Sequence, residues 1–133
     1  MRSLGELSIA AVCALLLGCG GEGTPEPETP PPPGAPETLA ERACPEESFL
    51  TFQDFGGPFF FDWCTGCHSS AMPEGERQGA PPGVDFDTLE DMRAWADRIW
   101  ARAGDHNETM PPIGGPHEEE RVALGEWLAC GAP

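Results

Sequence analysis

The sequence predicts an all-α domain of about three short helices joined by long loops, and three observations predict it. Three helical stretches can be read, the clearest with apolar residues recurring at steps of three and four, and no alternating apolar–polar run persists. In addition, 17 glycines and 16 prolines among 133 residues commit much of the chain to connections. Apolar residues make up 39% of the chain, which allows one modest core.

The N-terminus reads as an address. Arg2 precedes an apolar run from Leu7 to Leu17, broken only by Ser8. That run is shorter than the roughly 20 residues a spanning helix needs, and it has the length of a secretory signal core. It ends in Leu16-Leu17-Gly18-Cys19, which resembles the lipobox of bacterial lipoproteins. The resemblance implies a signal peptide over residues 1–18 and a lipidated Cys19, with an ordinary cleaved signal as the alternative. Residues 19–43 read as a tether. Pro25, Pro27, Pro30, Pro31, Pro32, Pro33 and Pro36 favour extended polyproline backbone, and the glutamates among them repel one another.

Residues 44–133 form the expected globular unit. Its first helix is expected from about Pro58 to Cys67, with Gly56-Gly57-Pro58 at its start and Phe59, Phe60, Phe61 and Trp63 as its apolar load. The second runs from a capping pair, Asp87 with Glu90, to Gly104, and carries Leu89, Met92, Ala96, Ile99 and Ala103 on one stripe. The third spans about His117 to Ala129 between Pro116 and Gly131, with Glu118, Glu119 and Glu120 where the helix dipole favours negative charge. Three such helices bury little, so a further stabilising element is expected.

Charge narrows the function. Acidic residues outnumber basic ones 23 to 7, for a net charge of −16. Such a chain is a poor candidate for neutralising nucleic-acid phosphates or for binding anionic lipid through a basic patch. A charged partner should be basic.

The chemistry lies in Cys64-Thr65-Gly66-Cys67-His68, a C-x-x-C-H sequence. On a helix these three side chains share one face, so two thiols can add to the two vinyl groups on one porphyrin edge while the imidazole reaches the iron. A thioredoxin-like dithiol needs a βαβ context, and a zinc site needs two more ligands; neither is visible. Over nearly all of residues 44–133 the chain resembles the monohaem class I c-type cytochromes. That resemblance implies a small fold of short helices and long loops wrapped round one covalent haem c held by Cys64 and Cys67, with His68 as the proximal iron ligand.

Candidates for the other axial position are Met72, Met92, Met110, His106 and His117. Met110, in Met110-Pro111-Pro112, resembles the loop methionine of many small cytochromes c and is the expected distal ligand; His106 or an open position are the alternatives. The resemblance also implies that Pro81 or Pro82 accepts the second imidazole nitrogen, that Gly125 with Trp127 and Leu128 forms half of a helix crossing, and that Arg77 or Trp95 meets the haem propionates. Cys44 and Cys130 bracket the domain, and in an oxidising compartment they would most simply pair.

Together these readings describe a membrane-tethered one-electron carrier rather than an enzyme. It would pass electrons between basic redox proteins from a lipid anchor in the cell envelope, facing the periplasm or the exterior, with the outer membrane favoured and the domain monomeric. The alternatives are a haem-binding accessory or sensor subunit of a larger oxidoreductase, or a peroxidase-like enzyme with an open sixth position.

Overall fold

A computed structural model describes residues 33–112 and 114–133. The expected signal peptide, Cys19 and most of the tether lie outside the described residues. Within them the protein is all-α, with four helices and no strand: α1 (Gly57–Trp63), α2 (Leu89–Ala94), α3 (Ala96–Ala103) and α4 (Glu118–Ala129). Among the described residues no helix is long and apolar enough to cross a membrane.

The folded part starts earlier than the sequence suggests. A short helical turn at Leu39–Glu41 packs Leu39 against the core, and Arg42 Nε reaches Asp105 Oδ1 at 3.1 Å. Residues 39–42 therefore belong to the domain rather than to a tether ending at residue 43. Further on, the structure joins Cys44 to Cys130, 86 residues away, with their Cα atoms 4.8 Å apart. Closing a loop of that length restricts the unfolded chain by on the order of 4–5 kcal/mol in the chain-entropy model.

α1 grows out of a π-helical turn at Phe52–Gly56, capped by Thr51, whose Oγ1 accepts from Asp54 N at 3.1 Å. Pro58 sits in the first turn of α1, where its missing donor is no loss. Phe59 and Phe60 are buried, whereas Phe61 remains 77% exposed. The regular helix stops at Trp63, four residues short of the expected end, because Thr65 N reaches back five residues to Phe60 O and unwinds the turn.

The expected second helix is two helices. Trp95, with φ −104° and ψ 8°, turns the backbone between α2 and α3. Neither proline nor glycine marks that break. α2 is fixed separately, by Arg93 Nη2 donating to Ala132 O at 2.7 Å near the chain end. Its cap also lies one residue later than expected: Thr88 Oγ1 accepts from Asp91 N and Asp91 Oδ2 accepts from Thr88 N, both at 3.1 Å. The first residue of the expected pair, Asp87, instead accepts from Ser70 N at 2.7 Å. Hydrogen bonds from Ser69 and Ser70 hold its carboxyl below the usual range, with a smaller contribution from the Arg77 charge.

The core joins Phe59, Phe60, Phe86, Met92, Ile99, Trp100, Leu124, Trp127 and Leu128. Trp127, fully buried, stands 6.0 Å from the Phe60 ring and 6.3 Å from that of Phe55. A glycine does meet Trp127 at this crossing, but it is Gly56, whose missing side chain leaves room for the indole. Gly125, expected in that role, faces the carboxylate of Asp105 instead. Asp105 gathers three elements: Arg42 from upstream, Trp100 Nε1 of α3 at 2.6 Å, and the close approach to α4.

Candidate functional site

The C-x-x-C-H segment follows directly on α1 and keeps a helical bond pattern through its own turn. Cys67 N and His68 N both donate to Cys64 O, at 3.1 and 2.9 Å. Cys64, Cys67 and His68 line one cavity, and the two cysteines are free thiols. Burial, with a further push from Cys67, moves the Cys64 thiol up to about 12. In the protein alone it is therefore held as the protonated thiol at neutral pH.

His68 is gripped from behind. Its Nδ1 lies 2.8 Å from Val84 O. A carbonyl only accepts, so Nδ1 carries a proton, and in the neutral ring Nε2 then holds the lone pair a metal would take. Phe86 stacks on the ring at a centroid distance of 4.8 Å, and its N–H donates to His68 O at 2.9 Å. The carbonyl expected from Pro81 or Pro82 is therefore Val84's. Arg77 Nη2 donates to Pro81 O at 3.0 Å and also to Val84 O at 3.2 Å.

The cavity has a volume of about 430 Å³, within the roughly 300–1,000 Å³ usual for small-molecule and cofactor sites. Its walls include Phe59, Trp63, Phe86 and Ile99, and Met110 with Pro111 and Pro112. Among the described residues Met110 is the one sulfur or imidazole besides Cys64, Cys67 and His68 on that lining. Its backbone is tied to α3 by Met110 N donating to Arg102 O at 2.9 Å, and Asn107 Nδ2 secures the preceding turn on Trp100 O and Gly104 O, both at 3.0 Å. The other candidate ligands lie elsewhere. Met92 is core, His106 stands edge-on to Trp100, and neither Met72 nor His117 lines the cavity.

Two further residues face this space. Arg98 and Arg102, one turn apart on α3, line the cavity together with Arg77. Arg77 is consumed by the loop it sits in, and Trp95 is not on the lining; it packs at the core edge with Arg98 Cζ 5.9 Å from its ring. Two exposed guanidiniums thus remain at a largely apolar pocket. Of the 7 basic residues in the chain, all arginine, three meet at this one cavity.

This donor set suits a planar, largely apolar group that carries its own metal and anionic substituents. Two thiols stand beside an oriented imidazole, a thioether lines the same space, and aromatic walls and two arginines complete it. It does not suit a bare ion: among the described residues no group of three or more His, Cys, Asp or Glu side chains could hold one. No family model, curated protein or solved structure matches the chain.

Proposed function

We propose that the protein is a monohaem c-type cytochrome, a one-electron carrier tethered to a membrane of the cell envelope through Cys19. The observation that carries this reading is the convergence of Cys64, Cys67, His68 and Met110 on one cavity, with His68 in the tautomer that leaves Nε2 for iron. Cys64 and Cys67 would hold the porphyrin by thioethers, His68 and Met110 the iron, and Arg98 and Arg102 the propionates. Bound there, haem c supplies an Fe(III)/Fe(II) couple, and methionine ligation favours the reduced side relative to two histidines. The chain's own part is to anchor the two side chains that would meet the iron, with the His68 ring on Val84 O and the Met110 backbone on Arg102 O. With His68 and Met110 both on the iron no place would remain for a substrate, which is why the reading is a carrier and not an enzyme. Its partners are basic redox proteins.

The test is the full chain produced with c-type haem maturation. Pigment should stay with the polypeptide through denaturation and acid-acetone extraction, and Cys64→Ala with Cys67→Ala should abolish it. Wild-type ferrous protein should not bind carbon monoxide, whereas Met110→Ala should. Extractable pigment, or none, overturns the proposal; carbon monoxide binding by the wild type turns it toward a ligand-binding haem protein.

A further inference from the structure

The loop between the C-x-x-C-H motif and α2 contains a charge that has left water. Among the described residues Arg77 is the one charged side chain that is buried, at 3% exposure. Burying a guanidinium is costly unless its donors are met. Here all three nitrogens are engaged: Nε on Ala80 O at 3.2 Å, Nη1 on Ser69 O, and Nη2 on Pro81 O at 3.0 Å, Val84 O at 3.2 Å and Asp85 Oδ1 at 2.7 Å. One of these acceptors already has a partner. Val84 O is the oxygen that accepts His68 Nδ1–H at 2.8 Å.

Sharing that oxygen has a chemical consequence. A carbonyl offers two lone pairs, and a cationic donor on one of them withdraws density from the other. The N–H···O bond on the far ring nitrogen sets how electron-rich the metal-binding nitrogen is. A weaker bond there leaves Nε2 a poorer donor, which disfavours Fe(III) more than Fe(II).

We infer that Arg77 is a positioning residue that tunes His68: by sharing Val84 O it holds the Nδ1–H bond below full strength and raises the reduction potential of the iron. The inference rests on the haem reading above. Asp85 sets how far Arg77 acts. Two Nη2 protons serve three acceptors, so Asp85 draws donor strength away from Val84, and a weaker acceptor at 85 turns Arg77 more fully onto the shared carbonyl.

The test compares wild type, Arg77→Gln and Asp85→Asn as full-length haem-loaded protein, measuring the reduction potential and the proton NMR resonance of His68 Nδ1–H in the ferrous state. Arg77→Gln should lower the potential by up to a tenfold change in the ferric-to-ferrous ratio, about 59 mV for one electron. Its Nδ1–H resonance should move downfield, as the hydrogen bond strengthens. Asp85→Asn should move both readouts the opposite way, and it alone decides the matter if Arg77→Gln does not fold. A potential that shifts while the Nδ1–H resonance stays put reports charge acting through space and overturns the inference, as do two variants that shift neither. Those results come from loaded chains and leave the functional reading standing; a chain without covalent haem overturns both.

Discussion

Gly56 owes its identity to Trp127. Its φ of −55° is open to any L residue, and alanine is the better helix former, so backbone preference favours replacing it. Contact decides otherwise. A Cβ at 56 would stand closer than 3.0 Å to Cε2, Cζ2 and Cη2 of an indole that is fully buried and held by Phe55 and Phe60. Such a ring cannot swing aside without displacing the core. Gly56→Ala should therefore lower stability by about 1–3 kcal/mol, the usual effect of overpacking. Urea unfolding checks it: the midpoint falls while the slope stays unchanged. A midpoint equal to or above wild type would mean that the helices separate easily at this crossing.

At the scale of elements, the short helices depend on their ends. α2 has six residues, too few to persist on propensity alone, and begins with the reciprocal pair of Thr88 and Asp91. Thr88→Ala removes the acceptor for Asp91 N and should cost about 0.5–2 kcal/mol. Amide hydrogen exchange should localise the loss to α2 and the turn before it; uniform loss across α4 would show that α2 does not open on its own. The same cap shows how far the sequence could be read. Helix positions were legible because capping residues, apolar steps and flanking glycines act locally, and α4 starts one residue from where His117 places it. The break at Trp95 was not legible, because its fixed point is a carbonyl at Ala132, 39 residues from Arg93. Likewise Cys64, Cys67 and His68 announce themselves by spacing alone. The Val84 acceptor and the two cavity arginines do not, since a backbone carbonyl has no sequence signature and an exposed arginine on a helix resembles any solvated one.

For the whole molecule the governing quantity is charge. The chain carries −16, and the cations on the cavity are the local exception: Arg77 is paired with Asp85 at 2.7 Å, while Arg98 and Arg102 would be balanced by the two carboxylates of the proposed group. With those accounted for, the field a partner meets at long range is set by the uncompensated acids, among them Asp62 on the cavity lining. Attraction of a basic redox protein to such a surface raises encounter rates by roughly 10–10³-fold at low salt. The screening length falls from about 30 Å at 0.01 M to about 10 Å at 0.1 M, so most of that gain should vanish over this range. Stopped-flow mixing of the reduced protein with a small oxidised basic redox protein should give a second-order rate that drops steeply as salt rises. An acidic redox protein of similar size should show the reverse slope, because salt then relieves repulsion. Equal slopes for the two would mean that the acids lie too far from the docking face to steer it, and the basic-partner reading would fall while the covalent site stood.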